Sequence, residues 1–134
     1  MIESWRWFGP LDAITLPEIA QTGATGIVTA LHEISYGEVW PREAIAARRA
    51  MIEAAGFTWE VVEGLPIHER IKRGEGDLAP LFANYRDSLR NLAAEGVKLA
   101  ISARRVDKLQ EVADEIVAAG GHRPVIIESD LYAE

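Results

Sequence analysis

Apolar residues follow two spacings along this chain, one typical of helices and the other typical of buried strands. They recur every three or four residues from about residue 77 to 95 and again from 107 to 117, as on one face of a helix. Thr15 is expected to cap a short helix with Pro17 in its first turn, and Pro41–Ala55 is expected to form a longer one. The pattern therefore predicts four helices.

Five short apolar runs separate these helices and predict strands. Their bounds are Trp5–Phe8, Gly26–Leu31, Phe57–Glu63, Val97–Ser102 and Pro124–Glu128. Four of the runs follow a glycine that ends a predicted helix, where glycine accepts the left-handed conformation. Alternating strands and helices form parallel sheets. We therefore predict one α/β domain spanning residues 1–134, with a parallel (βα)n sheet of about five strands and four helices resembling half of a TIM barrel.

The longest irregular stretches, residues 32–39 and 64–76, both follow strands, whereas the turns after helices are short. This asymmetry places functional loops at the carboxyl ends of the strands, as in a TIM barrel. Candidate site residues are therefore sought at those ends.

Three polar residues lie at or near the ends of predicted strands. Arg6 could hold a carboxylate through two hydrogen bonds, or form a buried ion pair with Glu63 or Glu60. His32 could act as an acid or base, or be a hydrogen-bonded loop residue. Glu63 could be catalytic, or belong to a structural salt bridge. We take His32 and Glu63 as candidate catalytic residues and Arg6 as a substrate-binding residue.

Two further substrate-binding candidates are Trp7 and His68. Tryptophans could line a sugar pocket, and the alternative for Trp7 is a place in the core. His68 and Glu69 lie in the loop after the third strand. Adjacent residues rarely converge on one metal ion, so no metal ligand is predicted.

The charge balance bears on possible partners. The chain carries 21 acidic and 14 basic residues, a net charge of −7. This disfavours nucleic acid, whose binding depends on clustered Lys and Arg. The basic clusters Arg48–Arg49, Arg70–Arg73 and Arg104–Arg105 are expected to be solvated. Cysteine is absent, and neither a membrane span nor a signal peptide is evident. We expect a cytoplasmic protein with no membrane partner.

Motifs in the first 97 or so residues resemble mannonate dehydratases. In order they are WRWFGP (5–10), TGATGIVTALH (22–32), GEVW (37–40), EAAGFTW (53–59), VVEGLPIHE (61–69), NY (84–85) and LRNLA (89–93). Two positions depart from the family's pattern. Glu33 stands where the family tends to have a second histidine, and Gly64 stands where it tends to have a serine.

The resemblance implies a lyase of hexuronate and glucuronate catabolism that dehydrates D-mannonate to 2-dehydro-3-deoxy-D-gluconate. The implied cofactor is Mn or Fe(II), and the implied partner is a small sugar acid. Separately, the two uncovered edges of an open parallel sheet predict a homo-oligomer. The family's metal ligands are His, Cys and Asp residues of later strands, which this chain lacks. We therefore expect a protein that is incomplete and inactive alone.

Residues from about 92 to 134 resemble a different family, in the region between the second and third strands of short-chain dehydrogenases. The segments are LAAEGVKLAISARR (92–105) and AAGG (118–121), followed by Asp130. The resemblance implies an NADP site using Arg104, Arg105 and Asp130, although the glycine-rich phosphate loop is absent. The boundary between the two parts is expected at 96/97. Two alternative functions follow: an NADP-dependent oxidoreductase fragment, or a non-catalytic domain that self-assembles through open sheet edges.

Overall fold

In the computed structural model, which describes residues 1–129, strands alternate with helices and the parallel α/β class is confirmed. The elements are β1 (Ser4–Arg6), α1 (Leu16–Ala20), β2 (Gly26–Thr29), α2 (Arg42–Ala54), β3 (Thr58–Val62), α3 (Glu69–Arg73), α4 (Ala79–Ala94), β4 (Ala100–Ala103), α5 (Val106–Ala118) and β5 (Val125–Glu128). Every predicted strand has its counterpart within a few residues.

The strands are shared between two sheets, a division that the alternation alone does not predict. One sheet has the order β1-β2-β3 and the other consists of β4 and β5, and all pairs are parallel. The chain correspondingly divides into two compact units, and the boundary falls between Ser88 and Leu89 of α4. Periodicity identifies a strand but does not say which neighbour it pairs with.

The core of the first unit is formed by apolar side chains from both its helices and its strands. The buried cluster consists of Trp7, Leu16, Ile19, Ile27, Ile52 and Phe57. It joins the apolar face of α1 and that of α2 to the central strand β2. Thr15 is the N-cap of α1 as predicted. Its backbone N–H donates to the Glu18 carboxylate over 2.8 Å, and its hydroxyl donates to the same carboxylate over 2.7 Å. The bond from the backbone N–H is the Glu18 half of a capping box.

Two element boundaries differ from the sequence prediction. Helix α3 lies in the stretch predicted to be irregular; His68 caps it, and Gly74 ends it with a φ of 69°. Strand β4 begins at Ala100 and not at Val97, because the Val97 N–H donates to the Leu92 carbonyl over 3.0 Å. That bond belongs to the glycine-terminated end of α4 and delays the strand.

In the second unit, α5 connects β4 to β5 and packs on both strands. Its buried face carries Leu109, Ala113 and Ile116, at helical spacing. No helix within residues 1–129 is long and apolar enough to cross a membrane.

The core of the first unit can be tested with two neighbouring residues of α2. Ile52 is fully buried, whereas Met51 is 42% exposed. Ile52→Ala should lower the free energy of unfolding by about 2–5 kcal/mol because it leaves a cavity. Met51→Ala, the control, should change it by about 0.5 kcal/mol or less. Urea denaturation followed by tryptophan fluorescence measures this unit alone, since all four tryptophans lie before residue 60. Equal effects of the two variants would contradict the assignment.

Candidate functional site

The carboxyl ends of β1, β2 and β3 bring together three of the predicted site residues. Arg6 is the last residue of β1, and Glu63 directly follows β3. The Arg6 Nε lies 2.6 Å from Glu63 Oε1, with side-chain exposures of 55% and 29%. The ion pair considered as the alternative for both residues is therefore present, although it is accessible to solvent and not buried. An accessible guanidinium remains able to meet a ligand.

Phe8 connects this ion pair to His32. The Arg6 guanidinium carbon lies 4.3 Å from the centre of the Phe8 ring, within the range of a cation–π contact. The centres of the Phe8 and His32 rings are 5.4 Å apart, with a tilt of 37°. Both aromatic side chains are exposed. We call Arg6, Phe8, His32 and Glu63 the edge cluster.

Beneath the edge cluster lies Arg48, which is 3% exposed and not solvated as predicted for the Arg48–Arg49 pair. Its Nη1 donates to the Ala30 carbonyl over 2.8 Å, and its Nη2 lies 2.8 Å from both carboxylate oxygens of Glu33. These charge-assisted bonds satisfy a buried cation. They fasten α2 to the loop that follows β2.

Sequence reasoning missed Arg48, although a signal was present. Ile45, Arg48 and Ile52 follow one another at steps of three and four residues, and all three are buried. A single arginine in the apolar stripe of a helix has to find partners in the interior. Because Arg48 was grouped with Arg49 as a basic cluster, its place in the apolar stripe of the helix was overlooked.

Trp7, predicted as a substrate-binding residue, lies instead in the core. It is 3% exposed, and its indole N–H donates to the Ile14 carbonyl over 3.2 Å. The Arg48 guanidinium carbon lies 5.4 Å from the centre of its ring. The alternative considered for Trp7 is thus what the structure shows, and the exposed aromatic group at this edge is its neighbour Phe8.

A turn built on Asp12 fixes the backbone of Phe8. The Asp12 carboxylate accepts the Phe8 N–H over 2.7 Å and the Ile14 N–H over 3.1 Å. These two bonds, helped by the nearby charge of His32, hold the pKa of Asp12 below its ordinary value. The turn therefore depends on an ionised carboxylate.

His68 is not part of the edge cluster. Its Nδ1 accepts the Arg70 N–H over 3.1 Å and so caps α3. Its ring lies in a small cleft near Gly37 and Tyr85, and a Cβ on Gly37 would come within 2.9 Å of it. Burial in this cleft raises the pKa of Tyr85. A substrate-binding role for His68 stays a prediction.

The described residues do not fit a divalent metal. Within residues 1–129, no three His, Cys, Asp or Glu side chains converge as a ligand set would require. For the NADP site, Arg104 and Arg105 are exposed, and Arg105 Nη2 lies 3.2 Å from Asp107 Oδ2. Asp130, the third residue of that hypothesis, lies outside the described residues.

Comparisons with family models, with curated proteins and with solved structures all identify the same family. A model of the D-mannonate dehydratase (UxuA) family matches residues 1–102. Mannonate dehydratases of Chromohalobacter salexigens and Marinomonas sp. are 62% and 58% identical over 97 residues, which is 72% of this chain and 25% of each relative. A crystal structure of the enzyme from Streptococcus suis matches with a TM-score of 0.68 at 41% identity, covering 74% of this chain and 29% of that one. The chain thus spans about a quarter of the length of these curated relatives.

The two ion pairs of the site should differ in their contribution to stability. Glu33→Ala should lower the free energy of unfolding by about 2 kcal/mol, because it leaves the buried charge of Arg48 without its partner. Glu63→Ala removes only a solvated pair and should cost about 0–1 kcal/mol. Both values follow from urea denaturation monitored by tryptophan fluorescence. A cost for Glu33→Ala no greater than that for Glu63→Ala would contradict the dependence of the buried arginine on Glu33.

The Asp12 turn should make the first unit sensitive to acid. Because the folded pKa lies below the ordinary value of 3.8, the stabilisation is complete above that value and is lost as the pH falls through the lower folded pKa. Asp12→Asn should therefore lose less stability than the wild type between about pH 6 and pH 2.5. Urea midpoints at the two pH values measure this. An identical loss in both proteins would exclude a role for the Asp12 charge.

Proposed function

This chain belongs to the mannonate dehydratase family, and we propose that its edge cluster binds the carboxylate of a sugar acid such as D-mannonate during dehydration. The observation that carries the proposal is the solvent-accessible Arg6 at the end of β1. It is held by Glu63 and contacts Phe8, and the Phe8 ring in turn lies near that of His32. Accessible cationic and proton-transferring groups thus meet where parallel α/β proteins place their ligands.

Arg6 supplies the positive charge that a sugar acid requires. A guanidinium binds a carboxylate with high geometric specificity because its donors lie in one plane. The contact of Arg6 Nε with Glu63 and the Phe8 ring under the guanidinium restrict its orientation. Glu63 accordingly acts on Arg6, and its predicted catalytic role becomes that of a positioning residue.

His32 supplies an imidazole, a side chain that can act as an acid or a base. Dehydration removes a proton from the carbon next to the carboxylate and a hydroxide from the following carbon. The two leave as water, and the resulting enol becomes the ketone. A carboxylate held by Arg6 would place these carbons toward His32, on the other side of Phe8. We assign His32 to one of the two proton transfers.

A divalent ion, Mn or Fe(II), is proposed from the resemblance alone. When bound, such an ion stabilises the negative charge that develops as the proton leaves. Because the described residues do not form a ligand set, no step is assigned to them through a metal. Homo-oligomer formation and a cytoplasmic location also stay predictions.

Sugar-acid binding can be tested with two matched arginines. Arg6 and Arg73 are both exposed and both paired with one carboxylate, of Glu63 and of Glu75 respectively. Arg6→Gln should weaken D-mannonate binding about tenfold or more, since a charge-assisted contact is lost. Arg73→Gln should leave the dissociation constant unchanged.

The measurement is a titration of the full chain with D-mannonate, followed by NMR of the histidine side chains. The His32 signals should move on binding. Mannitol, which has hydroxyls but no carboxylate, should have no effect. Equal binding by the two arginine variants, or no movement of the His32 signals, would contradict the proposal.

A further inference from the structure

The loop after β1 rests on the guanidinium of Arg48. Trp7 and Gly9, the residues on either side of Phe8, both contact it. The Trp7 ring centre lies 5.4 Å from its Cζ. A Cβ built on Gly9, which has a φ of +97°, would come within 3.1 Å of both Nη atoms. The backbone that carries Phe8 therefore runs close to the buried arginine, where a side chain would crowd the guanidinium and the positive φ favours glycine.

The loop after β2 is held by the same group. The Ala30 carbonyl and the Glu33 carboxylate both accept hydrogen bonds from Arg48, and these two residues bracket His32 along the chain. One rigid planar cation thus contacts the chain on both sides of Phe8 and on both sides of His32. The spacing of the two rings depends on where that cation lies.

We propose that Arg48 is a positioning residue for the edge cluster, setting the distance between the Phe8 and His32 rings. Arg48 is buried and does not reach the ligand. It acts through the loops after β1 and β2, because its contacts fix the position of both loops relative to α2. The role in ligand binding rests on the proposed function, whereas the effect on ring geometry does not.

Lysine cannot replace arginine in this role. The fork of the guanidinium reaches the Ala30 carbonyl with one Nη and the Glu33 carboxylate with the other. An ammonium is a compact charge without this planar geometry. In Arg48→Lys one of the two loops should lose its contact while the positive charge is retained.

The direct test uses the NMR signals of the His32 ring, which an aromatic ring 5.4 Å away displaces. The chain has three histidines, and His32→Gln identifies the signals of this one. Phe8→Leu defines the displacement due to Phe8. Arg48→Lys should lose most of that displacement, whereas Arg49→Lys, a change at the next residue of α2, should keep it. A folded Arg48→Lys protein with the wild-type displacement would overturn the inference.

Ligand binding gives a second readout, which a purely structural role would not change. At a temperature where tryptophan fluorescence shows Arg48→Lys to be folded, its dissociation constant for D-mannonate should rise about tenfold, as if one charge-assisted contact were lost. Wild-type affinity in this variant would overturn the inference. If the wild type itself does not bind D-mannonate, the proposed function fails, and the ring signals still decide the role of Arg48.

A second variant covers the case in which Arg48→Lys does not fold. Glu33→Gln keeps the buried arginine and the Ala30 contact but removes the charge of the acceptor. The displacement of the His32 signals should fall in the same direction and by less than in Phe8→Leu. An unchanged displacement in Glu33→Gln would show that the Arg48–Glu33 contact does not set the ring geometry.

Discussion

The contact on which the first unit depends is that of the buried Arg48 guanidinium with the loops after β1 and β2. A buried cation is stable only when it is fully paired, so Ala30 and Glu33 have to keep their places around it. The same requirement fixes α2 against the carboxyl edge of the sheet, where Arg6 and His32 lie. One charge-assisted network thus links the buried face of α2 to the loop that carries His32.

Much of the fold could be predicted because it depends on local periodicity. The apolar stripes of α4 and α5, the prolines that begin α1 and α2, and the glycines that end the helices all lie within short windows of sequence. Helix α3 was missed because five residues with no buried face give no periodic signal. The division into two sheets was missed because strand pairing is a contact between distant segments, about which the alternation of elements carries no information.

The site residues that could be predicted are those at the carboxyl ends of strands, because the sequence position of a strand end determines where such a residue lies. Arg6 and Glu63 meet because β1 and β3 both pair in parallel with β2 and end at the same edge of the sheet, and His32 follows β2 at that edge. Phe8 and Arg48 were not predicted, because their roles depend on a turn at Asp12 and on a buried helix face. Trp7 and Phe8, which directly follow β1, show this limit. One aromatic ring is buried and the next is exposed, and the sequence does not determine which of the two is inside.

The most direct measurement of this account is an NMR experiment on the Arg48 guanidinium. Hydrogen bonding to the Ala30 carbonyl and to Glu33 predicts separate, slowly exchanging Nη signals and a scalar coupling from Nη1 across the hydrogen bond to the Ala30 carbonyl carbon. A guanidinium that rotates freely and exchanges rapidly with water, like that of an exposed arginine, would contradict the central claim.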